Sequence, residues 1–293
     1  MKKNRITTFI VVIILLAGLS LLLYPTVSDY LQTLAHRRVI AEYLSNIEEM
    51  DDTSYDELLE EALAYNAELA DHHGSLLVLN EEKMQQYESL LDVTGTGMMG
   101  YIQIPSIDVS LPIYHGSSDE VLRVGVGHLS GSSLPVGGET AHTLLSGHRG
   151  LPSAVLFTHL DRLQEGDTFT LRVLRETFTY EVDQITVVEP HEVNSVKMEA
   201  GKDYCTLVTC TPYGVNSHRL LVRGHRIEVQ DEAIIPEAPQ TPETDLWIWV
   251  LIGGAFLLLI AVIIIILVRR YKRKDDELQR RLEAIRKEFT DET

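Results

Sequence analysis

Two long apolar runs bracket this chain and divide it before any other feature is read. The first extends from Ile6 to Tyr24 behind Lys2, Lys3 and Arg5; the second extends from Leu246 to Val268 and meets Arg269, Arg270, Lys272, Arg273 and Lys274 at once. A helix needs about 20 apolar residues to cross the hydrocarbon of a bilayer, and both runs qualify. Trp247 and Trp249 stand at the outer end of the second, where indole rings prefer the interface. Both basic clusters lie on the terminal sides, so the expected topology is multi-pass with both termini cytoplasmic. A cleaved signal peptide is the competing reading of residues 6–24, but the run is long for an h-region and no Ala-x-Ala follows it. Either way the region from about Pro25 to Asp245 is expected outside the cytoplasm.

The formal net charge is -18. With so many basic residues at the ends, the middle is more acidic still. That argues against nucleic acid as a partner, because phosphate binding needs clustered Lys and Arg. Cys205 and Cys210 are the two cysteines. Both fall in an alternating, β-branched stretch, Tyr204-Cys-Thr-Leu-Val-Thr-Cys210, that reads as a strand. Residues five apart on a strand face opposite ways and lie about 16 Å apart, whereas a disulfide needs Cα atoms within about 7 Å. Two free thiols are therefore expected in an exported region, and a free thiol there needs a reason.

Between the runs the hydrophobic period changes once. Leu31, Leu34, Val39, Ile40, Tyr43 and Leu44 recur at helical spacing, as do Leu58, Leu59, Ala62 and Tyr65, with Asp51, Asp52, Thr53 and Ser54 as break and N-cap. A loop from Asp71 to Asn80 and a short helix over 81–91 complete a helical extension, residues 25–97. From Met98 onward the pattern is that of strands: 100–104, 109–113, 143–146, 169–174, 178–188, 204–210 and 219–229. Their Gly/Pro punctuation suggests a mainly β, closed or nearly closed barrel over residues 98–230. Residues 231–245 are acidic and carry Pro236, Pro239 and Pro242, the composition of a solvated stalk. The flanking segments are then 1–24 as N-terminus and anchor, 246–268 as second transmembrane helix, and 269–293 as a charged cytoplasmic tail.

Cys210 ends its strand and opens into Thr211-Pro-Tyr-Gly214, which presents a thiol at a rim. Most free cysteines are simply small buried apolar residues, so position alone does not make it a nucleophile. Of the 11 histidines, His148 ends a strand and sits between glycines in Ser146-Gly-His-Arg-Gly150. Flanking glycines leave an imidazole room at a rim. His218 is nearer Cys210 in sequence, and spacing alone does not choose between them. Arg219 begins the returning strand, and a hairpin would bring it back to the Cys210 rim. There it is either an ordinary edge ion-pairing residue or a fixed cation for a developing oxyanion.

At these residues the chain resembles the sortases. Thr206-Leu-Val-Thr-Cys210 matches the TLxTC signature, His148 falls in the family's histidine segment, and Arg219 stands where the family has its arginine. The resemblance covers Gly100 to about Val229, including Leu111-Pro-Ile-Tyr-His-Gly116, Leu134-Pro-Val-Gly-Gly138 and Gly147-His-Arg-Gly-Leu-Pro-Ser153. It selects His148 over His218 and implies a catalytic set of Cys210, His148 and Arg219. Cys210-Thr-Pro-Tyr-Gly-Val-Asn-Ser-His-Arg219 and Arg223-Gly-His-Arg226 are similar to class C, the pilin-polymerising sortases, as are a second span and a helical N-terminal extension. One feature departs: class C enzymes commonly cover the cysteine with a lid bearing an Asp-Pro-aromatic motif, and Asp71 to Glu82 holds neither proline nor aromatic. A lid here is either plugged by Leu76, Leu77 or Leu79, or absent.

The resemblance implies acyl transfer in two steps without cofactor or metal. An unassisted thiol titrates at about 8.5, so little is thiolate at neutral pH without help. A thiolate at Cys210 would attack the Thr carbonyl of an LPxTG-like sorting signal, with His148 as proton partner and Arg219 on substrate or oxyanion. An amine, in class C a pilin lysine, would resolve the thioester. The expected partners are pilin or surface-protein substrates bearing that signal, met at the membrane. The alternatives are a housekeeping sortase that loads the cell-wall precursor, a cysteine hydrolase, and a non-catalytic surface adhesin.

Overall fold

The computed structural model describes residues 2–71, 78–228 and 245–291, without some side chains in its first and last helices and at 194–195. Two compact units result: residues 1–23 with 242–293, and residues 24–241. Among the described residues no helix is long and apolar enough to cross a membrane. The two apolar runs lie on α1 (Lys2–Glu49) and α5 (Asp245–Asp291), and many of their side chains are outside the described residues. Pro25 sits inside α1, so the helix continues where the sequence suggested a boundary.

In the larger unit, α1 ends where Asp51 caps α2 (Asp52–Asp71): Ser54 N donates to Asp51 Oδ1 at 3.0 Å and Ser54 Oγ to Oδ2 at 2.8 Å. These bonds hold the Asp51 carboxyl below its usual range. Asn80 caps α3 (Glu81–Ser89) by accepting from Lys83 N at 2.8 Å. The expected helix over 81–91 stops early because Leu90 is extended and Leu91 turns left-handed, φ 62°, which buries both. Ile40, Tyr43, Ile47, Ala62, Tyr65 and Leu69 form the buried stripe of α1 and α2 within the main core. Two polar anchors fix them. The Tyr43 hydroxyl donates to Met99 O at 3.0 Å and accepts from Leu174 N at 2.7 Å. Asn66 donates to Leu134 O and Gly137 O at 3.0 and 2.8 Å and accepts from Leu134 N at 2.7 Å.

Eight strands close into a barrel in the order β1-β2-β3-β4-β7-β8-β6-β5. They are β1 (Met98–Ile104), β2 (Val109–His115), β3 (Val126–His128), β4 (Ala141–Ser146), β5 (Thr168–Val173), β6 (Glu176–Val188), β7 (Asp203–Thr211) and β8 (His218–Ile227). The β2–β3 and β4–β7 pairs are parallel and the others antiparallel. β3 has no signal in the sequence: it is three residues long, follows Gly125 and has Gly127 at its centre. Gly127 is needed there, since a Cβ would stand 2.4 Å from Gly116 O. Between β2 and β3 lies α4 (Asp119–Val124), capped by Ser118.

His128 is fully buried on β3. Its Nε2 faces Ser133 O at 2.8 Å, and a carbonyl only accepts, so Nε2 carries the hydrogen and Nδ1 accepts from the Tyr87 hydroxyl at 2.9 Å. Burial lowers its pKa from 6.5 to about 4. Barrel closure thus rests partly on a histidine that must stay neutral.

Candidate active site

β7 carries both cysteines, and alternation separates them. Cys205 is fully buried in the main core, where burial, reinforced by Asp203, pushes its thiol well above the ordinary range. Cys210 is half-buried near the far end of the strand, and both thiols are free. Along the Cys210 face runs a second apolar cluster, Leu144, Val208 and Leu221 with Val193, which residues 190–195 supply as cover.

The antiparallel partner of Cys210 is Arg219 on β8. Directly opposed residues share a face of the sheet, so thiol and guanidinium emerge on the same side. His218 pairs with Thr211 and therefore faces the other way; it is exposed and its Nδ1 lies 2.8 Å from Ser217 Oγ. Arg219 Nη1 donates to its own loop, to Asn216 O at 3.3 Å and His218 O at 3.1 Å. β7 runs on through Thr211 and β8 starts at His218, so the connecting loop is tighter than the sequence suggested.

His148 arrives by the parallel β4–β7 pair, whose register ends with Ser146 beside Val208. Gly147 N donates to Val208 O at 3.0 Å, and Thr209 Oγ1 donates to Gly147 O at 2.7 Å. Gly147 allows no side chain, because a Cβ would meet the Phe157 ring at 2.5 Å. Continuing both strands in step brings His148 level with Cys210. Its Nε2 lies 3.6 Å from Asp119 Oδ1 at the start of α4. Arg123 chiefly, then His148, holds the exposed Asp119 carboxyl below its usual range.

The three residues singled out from sequence therefore converge on one end of the barrel. Two others there escaped that reading. Asp119 is remote from His148 in sequence and looks like an ordinary helix-start acid. Arg149 stands inside the Ser146–Gly150 segment, but its partners lie elsewhere, Asp161 in a short 3-10 turn over Leu160–Arg162 and Thr211 at the end of β7. Among the described residues no cluster of three or more His, Cys, Asp or Glu is arranged to hold a metal.

The sortase domain family matches residues 102–227. The crystal structure of sortase C1 from Streptococcus agalactiae superposes with a TM-score of 0.64 at 48% identity, over 66% of this chain and 100% of that one. The chain belongs to the sortase family. A second structure, Clostridium perfringens sortase C with the C-terminal cell wall sorting motif, aligns at 42% identity and a TM-score of 0.56, over 66% of this sortase and 99% of that chain. Sortase D of Bacillus subtilis is 30% identical over 131 residues, 44% of this chain and 63% of that protein. This sortase thus spans somewhat under two thirds of that curated relative's length, and the two solved structures above are sortase C enzymes.

Of the lid residues named from sequence, Leu76 and Leu77 lie outside the described residues. Leu79 is half-buried and packs against the main core, to which Cys210 does not belong.

Proposed function

We propose that this sortase is a cysteine transpeptidase that cleaves an LPxTG-like signal between Thr and Gly and passes the acyl group to a pilin lysine. The observation that carries the reading is the register: Arg219 opposes Cys210 on β8, and His148 follows β4 in step with Cys210 on β7. In the first step the Cys210 thiolate attacks the Thr carbonyl carbon, forming a C–S bond. The Thr–Gly C–N bond breaks as His148 imidazolium gives its proton to the departing amine. Arg219 stabilises the oxyanion or holds the substrate once released from its loop carbonyls. The lysine amine then attacks the thioester, loses its proton to His148, and expels the thiolate.

Likeness to sortase C enzymes, one of them solved with a sorting motif, supports the substrate class. We further propose that residues 6–24 and 246–268 span the membrane with both termini cytoplasmic, on their apolar length and flanking charge. Protease added to intact cells then digests residues 25–245 and spares the tail. The decisive test incubates the enzyme with an LPxTG peptide and a lysine-bearing pilin domain, read by mass spectrometry. An isopeptide-linked product that disappears in Cys210→Ala is expected. Hydrolysis without ligation would make the protein a hydrolase, and no cleavage would leave the adhesin.

A further inference from the structure

Arg149 belongs to a loop, yet its side chain is only 8% exposed. A guanidinium is costly to bury unless it is paired and hydrogen-bonded. Its partners come from two other segments. Nη2 donates to Asp161 Oδ2 at 2.5 Å, Nη1 donates to Thr211 Oγ1 at 3.2 Å, and the guanidinium carbon lies 6.0 Å from the Tyr213 ring centroid. Arg149 directly follows His148, and Thr211 directly follows Cys210. One side chain therefore ties the residue after the imidazole to the residue after the thiol. Upstream of the site the two segments are already joined through Gly147, Val208 and Thr209. Downstream, His148 O accepts from Phe157 N at 3.1 Å and Gly150 N donates to Thr158 Oγ1 at 3.1 Å, which tether the loop to the 157–158 segment and not to β7.

We propose that Arg149 is a positioning residue, holding His148 in line with Cys210 by clamping the loop after His148 to the end of β7 just past Cys210. The inference rests on the reading of Cys210 and His148 given above. The planar fork suits the task, since it reaches a carboxylate and a hydroxyl in two directions at once, which a lysine ammonium does less well. With the clamp lost, the upstream join persists while the imidazole drifts, and a misplacement of about 1 Å costs about 100-fold in rate.

The test uses the full-length enzyme carrying Cys205→Ala, so that one thiol reports. Arg149→Met, Arg149→Lys and Asp161→Asn are compared with the parent and with His148→Ala. The readouts are sorting-peptide cleavage, iodoacetamide alkylation of Cys210 against pH, and near-ultraviolet circular dichroism as a fold check. Arg149→Met is expected to lower kcat about 10- to 100-fold with KM nearly unchanged, and to move the alkylation profile to that of His148→Ala. Lysine is expected to restore part of the rate. In a His148→Ala background, Arg149→Met should leave the alkylation profile where it was. A parent-like profile and kcat in folded Arg149→Met overturn the proposal, and so does an equal further loss in both backgrounds. Should Arg149→Met fail to fold, Asp161→Asn decides by the same criteria. Cleavage that survives in Cys210→Ala would sink the reading of the site and the clamp with it, an outcome distinct from a parent-like Arg149→Met in an enzyme that needs Cys210.

Discussion

Acidification should loosen the barrel through His128. An ordinary imidazole titrates near 6.5, and this one titrates at about 4 in the fold. The folded-state pKa is depressed, so the stabilisation is fully present above pH 6.5 and is lost as pH falls towards 4. Each pH unit across that window is worth about 1.4 kcal/mol, which gives about 2 kcal/mol lost by pH 5 and about 3 by pH 4. Asp203 works the other way. Burial raises it to about 6, so its contribution is lost as pH rises through 6 and recovered on acidification. A bare pH titration of stability would blend the two, and the informative quantity is the difference between wild type and His128→Gln, in which Asp203 cancels. Glutamine keeps a donor towards Ser133 and an acceptor towards Tyr87 but does not titrate. Both Trp residues lie at 247 and 249, beyond the barrel, so the probe is near-ultraviolet circular dichroism of the buried tyrosines during urea unfolding. The variant should be the less stable at pH 7, and the gap should close by about 2 kcal/mol at pH 5. A gap that stays constant from pH 7 to 4.5 would refute the claim that His128 must remain neutral.

Cys205→Ala should retain ligation and the alkylation rate of the remaining thiol, while Cys210→Ala loses both; mass-spectrometric detection of a Cys205–Cys210 bridge would contradict the strand geometry. Asn66→Ala removes the acceptor of Leu134 N and the amide donor to Gly137 O, while Leu134 O keeps Val136 N and Thr143 Oγ1, and should lower unfolding stability by about 1–3 kcal/mol with the cleavage rate unchanged. Asp119→Asn removes an exposed carboxylate 3.6 Å from His148 Nε2 and should reduce kcat less than tenfold, because a solvent-screened pair contributes little; a larger loss would give Asp119 a role beyond that pair. Replacing residues 72–77 by a Gly/Ser linker should change peptide cleavage less than tenfold, because one buried leucine contributes about 1.5–3 kcal/mol and ordering a loop offsets part of it. Activation beyond tenfold would reveal an effective lid.

Period and punctuation made most of the barrel legible. Alternation placed Cys205 and Cys210 on opposite faces of β7, and the short return to Arg219 implied the hairpin. Capping chemistry at Asp51 marked the break between α1 and α2. What stayed hidden depends on distant partners. The strand at Val126–His128 is too short to show a period, and α3 ends early only because Leu90 and Leu91 find core to fill. Little local separates His128 from an exposed histidine: Ser133 is five residues on, but Tyr87, which completes the site, comes from 41 residues away. Arg149 and Asp119 acquire meaning the same way, through Asp161, Thr211 and His148 meeting in space. Hydrophobicity alone offered Leu76, Leu77 and Leu79 alike as plugs, because it does not say which surface a leucine will cover; Leu79 packs against the main core.

The parallel pairing of β4 with β7 also bears on when the protein becomes reactive. Thr209 and Gly147, joined by a hydrogen bond, are 62 residues apart in the chain, so that join closes a long loop. Such non-local pairing has a high loop-closure entropy and belongs late in folding. On the site reading proposed above, an incompletely folded chain therefore has Cys210 without His148 beside it, since the two are brought level only by the pairing of β4 with β7. If Cys210 and His148 act as proposed, reactivity is in this way tied to assembly of the sheet, without any dedicated inhibitor.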